Sequence, residues 1–462
     1  MGSTTSTYRL TVPFLPVGAA LFCIQLDYFS LNLALPTIAA DLGSSVTDLQ
    51  WLLSGYMIAL GALLIPAGRA GDIAGRRTVL LAGLAIFGIT SLICGLTSDV
   101  PVLIGARVAQ GVGAALIFPN AFALVTNATT ETDRPRILGT LLGLAGTGTA
   151  LGPVVGGVLA STAGWRWVFL LNVPIAALAI MGVRRLSESR DKTGPRSLAD
   201  LDWPGIATIV VGLALVSIAV DDVTDEGLAS PETMVPLAVG GILLAAFVLI
   251  ETRVARPLVQ PSLMRSRLYV LLLVAGTIAN IGAVVYVLAA TLDLQEVREL
   301  SPAMAGLAFF VSSVGLALCG PVSGRLSVRY PAGTVMGAAL VLSAPALALL
   351  ALAGPLPVYV AALALCGITT GMGYALGQLA VQNALPPDRS AEGTSVMLTM
   401  LISVGGIGVV AATAVIEALG DGTPTAAGIA TTLYAVAGCL LLAGIVTLVV
   451  EGRRSKTLAG DR

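Results

Sequence analysis

Runs of apolar residues, each roughly 18 to 25 long and so able to cross a hydrocarbon core of ~30 Å as an α-helix, recur along the whole chain. Fourteen fall near 13–39, 49–68, 78–98, 101–125, 137–161, 166–183, 204–220, 233–250, 268–292, 303–324, 333–353, 357–381, 394–416 and 428–450. A bilayer offers no water to backbone N–H and C=O groups, so spans of this kind must be helical. With 56% hydrophobic and 11% charged residues, too little polar surface exists for these runs to be core helices of a soluble fold. The expected fold is an all-α integral membrane protein with 14 transmembrane spans.

The basic residues test that count independently, because short cytoplasmic loops accumulate Lys and Arg. One set of alternate loops carries Arg9, the cluster from Arg69 to Arg77, Arg134 and Arg136, the run from Arg184 to Arg196, the run from Arg253 to Arg267, Arg325, Arg329, Arg389 and the C-terminal basic group. The other set holds only Arg166 and Arg298, and Arg107 falls within a span. Both termini and the 184–203 loop are therefore expected in the cytoplasm. Trp51, Trp165, Trp167 and Trp203 stand at span ends, where interface anchors are found. The first span, preceded by a single Arg9 and followed by no small-residue cleavage site, reads as retained and not as a signal peptide.

The chain has no histidine, which excludes histidine metal sites, a Ser-His-Asp triad and a histidine proton relay. Its five cysteines all lie in apolar runs, where they pack as small hydrophobes. Without paired membrane carboxylates or a metal-spaced cluster either, a membrane enzyme has no evident chemistry, and no cofactor is expected beyond a proton gradient. Proton chemistry falls to carboxylates and arginine. Asp27 lies near the centre of the first span, where an ionised carboxylate costs about 2.5 to 3.5 kcal/mol on insertion scales. Burial favours the neutral form of a carboxyl, and water or a nearby cation favours the ionised form. A site whose hydration alternates would thus load and release a proton. Arg107, in the fourth span with Gln110 one turn along, is the candidate cation; snorkelling to the outer surface is its alternative.

Residues 1–183 and 268–450 each contain six apolar runs, which predicts two six-helix bundles. The plan is an N-terminal bundle over 1–183, a linker with an inserted helical pair over 184–267, and a C-terminal bundle and tail over 268–462. GRAGDIAGRR at 68–77 and GRLSVRY at 324–330 follow the second run of each half; the later copy has Val328 where Asp72 would align. Such parallel halves are a transporter architecture with the site at their interface. Gly139, Gly148, Gly152, Pro153, Gly156 and Gly157 form a G-x8-G-x3-G-P-x2-G-G frame in the fifth run. Gly148, Gly152 and Gly156 bare one helix face for close approach, and Pro153 removes an N–H and favours a bend.

LDYFSLNLALP at 26–36, GRAGDIAGRR at 68–77, RVAQGVGAA at 107–115, the glycine-proline frame and WRWVFLLNVP at 165–174 stand in one order along the chain. In these motifs the sequence resembles the major facilitator superfamily, in particular its fourteen-helix drug:proton antiporters. The resemblance implies rocker-switch alternating access and proton-driven export of small hydrophobic or amphipathic compounds across a bacterial cytoplasmic membrane. It further implies proton coupling by Asp27 and Arg107, an antiporter hinge at the glycine-proline frame, and a cytoplasmic latch at Gly68, Asp72, Gly75, Arg76 and Arg77. Expected partners are a small-molecule substrate, protons and the lipid bilayer, with no nucleic acid and a monomeric state. For the substrate cavity the candidates are Gln25, Tyr28, Asn32, Gln110, Tyr286, Tyr374 and Gln378. Since Asp27 is the one mid-membrane acid, with Asp293 and Glu417 at outer span edges, neutral, zwitterionic or anionic substrates fit better than polycations. A nutrient symporter and a lipid exporter are the alternatives; the glycine-proline frame argues against the first, and the short outer loop at 354–358 against the second.

Overall fold

The computed structural model describes residues 12–44, 49, 51–130, 133–190, 202–227, 229–254, 257–259, 261–385, 390–420 and 424–460. Within them every apolar run carries helix. In chain order these are α1 (Leu15–Leu42), α2 (Trp51–Ala74), α3 (Arg76–Leu96), α4 (Val100–Ala128), α5 (Arg134–Thr162), α6 (Arg166–Leu170) and α7 (Asn172–Val183), then α8 (Trp203–Glu226) and α9 (Pro231–Glu251). There follow α10 (Arg267–Leu292), α11 (Pro302–Arg329), α12 (Ala332–Leu352), α13 (Leu356–Asn383), α14 (Ser390–Ala418) and α15 (Ala426–Gly460). Among the described residues eleven helices, counting Arg166–Val183 as one, are long and apolar enough to cross a membrane. The runs at α1, α11 and α14 are helical but fall outside that set, so the number fourteen rests on hydropathy and loop charge.

Sequence explains where the helices start. Asp99, Ser230, Ser266 and Ser301 each accept a hydrogen bond from a backbone N–H three residues on, at the starts of α4, α9, α10 and α11. These side chains satisfy donors that a helix N-terminus leaves open. Prolines follow in the first turn of α4, α9 and α11, where a missing N–H costs nothing. α1 ends on Gly43 with φ 63°, a left-handed cap that glycine adopts without strain.

The chain forms two compact units, Met1–Asp221 with Leu228–Gln260, and Asp222–Gly227 with Pro261–Arg462. In the first, α1 packs along α5, and α4 packs against α2 and α3. Burial ranks these helices: 72% of the most apolar window of α4 is buried against 17% for α9, so α4 is central and the inserted pair α8–α9 peripheral. That pair is seated on the first unit through Ile65 of α2, which packs with Ile209, Leu258, Leu213 and Phe247. Arg69 fastens the same segment by donating to the carbonyls of Pro257 and Leu258 at 2.9 and 3.1 Å. In the second unit the main pairings are α12 with α15 and α11 with α13.

Both arginines that break the loop-charge rule are held in ion pairs. Arg166 bonds Asp41 at 2.8 Å and Ser98 at 2.8 Å. Arg298 bonds Asp293 at 2.5 Å and the carbonyls of Gly354 and Ala353 at 2.8 Å each. Trp165 corrects the reading of the four tryptophans as surface anchors. Its ring is 2% exposed and belongs to a buried cluster with Leu31, Cys94 and Phe169, meeting the Phe169 ring edge-on at 6.1 Å, while its indole N–H reaches the half-exposed Asp41 at 2.9 Å. Trp167 and Trp203 are exposed. Four cysteines are buried and Cys439 is exposed.

Candidate proton and transport site

Asp27 sits midway along α1, and its carboxylate is reached from two other helices of the first unit, α4 and α7. Arg107 of α4 donates from Nη1 to Asp27 Oδ2 at 2.6 Å, and both side chains are fully buried. Gln110, one turn on, donates from Nε2 to Asp27 Oδ1 at 3.1 Å, and Asn172 of α7 donates to the same oxygen at 2.7 Å. The guanidinium is fixed in turn: Nη1 also meets Gln110 Oε1 at 2.6 Å, and Nε donates to the Leu52 carbonyl of α2 at 2.8 Å. Gln110 also donates to Ser91 of α3 at 2.7 Å. Such a pair survives burial only with this density of hydrogen bonds.

Asp27 Oδ1 accepts from two amide N–H groups and Oδ2 from the guanidinium, so the partners that reach the carboxyl among the described residues are all donors.

The fifth helix frames the site from behind. A Cβ at Gly148 or Gly156 would run into the carbonyl oxygens of Phe22 and Ser30, and one at Gly152 into Phe29, so this bare face lets α5 lie against the α1 backbone on both sides of Asp27. Gln25 crosses the same seam and donates to Thr149 Oγ1 at 2.9 Å. α5 continues as helix through Pro153 to Thr162. Gly139 takes no part in this approach, since nothing lies within 4 Å of the position its Cβ would occupy. Gly157 is buried.

At one end of the first unit, Gly75 joins α2 to α3 with φ 105°, a conformation that strains any other residue. Asp72 accepts from Arg76 Nη2 at 2.8 Å, with Arg69 at 3.9 Å; Gly68 lies one turn before it. The start of α3 is capped from the segment after α7. Glu188 accepts from the N–H groups of Arg77 and Thr78 at 2.9 and 3.2 Å and from the Thr78 hydroxyl at 2.6 Å. Arg77 bonds the Leu186 carbonyl at 2.7 Å, and the Arg76 N–H bonds the Ser189 carbonyl at 2.9 Å. Burial pushes the Glu188 carboxyl up, but the Thr78 hydroxyl and the backbone N–H donors outweigh it and hold the group below the usual glutamate range.

Tyr28 stacks on Tyr56 at 6.2 Å between ring centroids. The Asn32 side chain lies outside the described residues, as does that of Glu417. In the second unit the Tyr286 hydroxyl is engaged with Ser312 at 3.2 Å and with Thr370, and Tyr374 bonds Gln378. Sequence reading missed Asn172, Ser91, Tyr56 and the Leu52 carbonyl. Asn172 lay in a motif already singled out, and a lone Asn amid apolar residues was the signal that could have drawn attention to it.

Apolar membrane-length helices in two units, with a fully buried acid–guanidinium pair at the heart of the first, define a multi-pass membrane protein of the transporter class. The family model described as Major Facilitator Superfamily matches residues 17–279 and 268–461. The chain belongs to that superfamily, and it is not an enzyme. It is similar to the puromycin resistance protein pur8 of Streptomyces alboniger, 34% identical over 334 residues, 72% of this chain and 66% of that protein. It is also similar to the cephamycin export protein CmcT of Amycolatopsis lactamdurans, 36% identical over 311 residues, 67% of this chain and 64% of that protein. The matched region thus spans just under two thirds of each relative's own length. Among solved structures the human organic anion transporter MFSD10 (TETRAN) shares the fold, with TM-score 0.66 and 17% identity over 95% of this chain and 98% of that one.

Proposed function

We propose that the protein is a proton-coupled antiporter that exports small hydrophobic or amphipathic compounds, antibiotics among them, across a bacterial cytoplasmic membrane by alternating access. The observation that carries this reading is the Asp27 carboxylate, fully buried against Arg107 and bonded by the Gln110 and Asn172 amides. A proton arriving at Asp27 frees the guanidinium and the Gln110 and Asn172 amides; the rearranged helices then favour the other facing, and loss of the proton restores the network. The puromycin and cephamycin relatives, by name proteins of antibiotic resistance and export, support the cargo class.

The rest of the machinery follows the same reading. Residues 1–183 and 268–462 act as two six-helix bundles of a fourteen-span monomer with cytoplasmic termini, and 184–267 supplies the linker and inserted pair. Gly68, Asp72, Gly75, Arg76 and Arg77 are the conformational latch, and the segment from Gly139 to Gly157 the hinge. Gln25, Tyr28, Asn32, Gln110, Tyr286, Tyr374 and Gln378 are the candidate cargo contacts. The test is transport into everted vesicles carrying an imposed pH gradient, with ethidium, puromycin and a cephamycin as probes and Asp27→Asn beside the wild type. Uphill accumulation of a probe that collapses with the gradient and is absent in Asp27→Asn is expected. Accumulation by Asp27→Asn with undiminished pH dependence would remove Asp27 from the mechanism, and import by energised intact cells would reverse the direction.

A further inference from the structure

Tyr56 of α2 is fully buried, yet among the described residues its hydroxyl has no hydrogen-bond partner. A buried phenol without a partner carries a penalty that phenylalanine would avoid, so the ring and not the hydroxyl is what this position uses. The ring faces the Arg107 guanidinium, whose central carbon lies 4.3 Å from the ring centroid. Phe169 offers a second face at 5.7 Å, and Tyr28 backs Tyr56 with planes 20° apart. Arg107 has spent Nε and Nη1 on Leu52, Asp27 and Gln110, while Nη2 has no hydrogen-bond partner among the described residues.

The negative face of an aromatic ring attracts a cation and repels an anion. With Asp27 ionised, the guanidinium is shared between the carboxylate at 2.6 Å and the ring face at 4.3 Å. With Asp27 protonated the anion is gone, and the ring face remains beside the Leu52 and Gln110 oxygens to hold the buried Arg107. Resting on the reading of Asp27 as proton carrier, we propose that Tyr56 is a positioning residue whose ring face holds Arg107 while Asp27 is protonated, and so sets the pH at which the transporter loads its proton. The other titratable groups around the pair are Cys23 and Tyr28 on α1 and Cys94 on α3, and the amide of Asn172 closes it from α7. None of them supplies a second anion for Arg107 at neutral pH.

A fluorinated phenylalanine series at position 56 tests this without changing shape, since each fluorine weakens the ring face. The readout is the pH profile of gradient-driven efflux for the probe that the vesicle panel identifies, with Tyr56→Phe, Tyr56→Leu and Asp27→Asn alongside. Tyr56→Phe is expected to keep the wild-type profile. Successive fluorines should move the midpoint stepwise to lower pH, by up to about one unit in total, and Tyr56→Leu, where it folds, should match the most fluorinated ring. A midpoint that stays put across the series overturns the proposal, as does a shift already complete in Tyr56→Phe. If Asp27→Asn keeps uphill transport, the parent reading fails instead, so the two failures are told apart.

Discussion

Substitution of Asp27 by Asn keeps the size and one acceptor oxygen but leaves Arg107 as a fully buried cation without its anion. Both side chains are 0% exposed and their closest atoms lie 2.6 Å apart, so neither charge is shared with solvent. Breaking such a pair costs about 3 to 5 kcal/mol. The Leu52 carbonyl and Gln110 still hold the guanidinium at 2.8 and 2.6 Å, which places the expected loss near the lower figure. At ~2 to 4 °C per kcal/mol for a domain of this size, a loss near ~3 kcal/mol should lower the unfolding midpoint in detergent by roughly 6 to 12 °C. The double variant Asp27→Asn, Arg107→Met removes both charges and should recover most of that loss, because no ion is left buried alone. The assay is thermal unfolding of purified wild-type, single and double variants, read by intrinsic fluorescence. Single losses below ~1 kcal/mol that simply add in the double variant would refute the reasoning, since distant or hydrated groups behave that way.

Asn172→Leu removes one of two amide donors to Asp27 Oδ1 and should cost ~1 to 3 kcal/mol together with a change in the pH profile of transport; an unaltered profile would make Asn172 a bystander. Gly156→Leu drives a side chain into the Ser30 carbonyl and should cost ~1 to 3 kcal/mol or more and abolish export, whereas Gly139→Ala, with open space at its Cβ, should do neither; expression yield and vesicle uptake check both. Glu188→Ala removes the cap on α3 and should lower stability by ~0.5 to 2 kcal/mol. Because the folded Glu188 carboxyl titrates below its ordinary 4.5, its contribution is present above that value and fades as pH falls through the lower, folded one. The stability gap between wild type and Glu188→Ala should therefore be constant at neutral pH and close in acid.

Much of this was legible in the chain. Asp27 and Arg107 stood out singly because a charge in an apolar run demands a partner, and the histidine-free composition left them few rivals. Gly148, Gly152 and Gly156 showed their contact face through spacing alone, although the α1 backbone they meet could not be named. What stayed hidden were side chains whose meaning depends on depth across helices distant in sequence. Asn172 reaches Asp27 from 145 positions away, and Tyr56 is read as an ordinary aromatic until Arg107 is found over its ring. Trp165 shows the opposite error: its place at a span end suggested the membrane surface, and packing with Phe169 buries its ring in the core.

Substrate-driven proton movement in proteoliposomes tests the central claim most directly. A pH-sensitive dye inside the liposomes follows protons while the best vesicle substrate is added to one side. Counter-movement of protons is expected with the wild type, and none with Asp27→Asn even where that variant still equilibrates the compound downhill. Proton flux through Asp27→Asn equal to that of the wild type would contradict it.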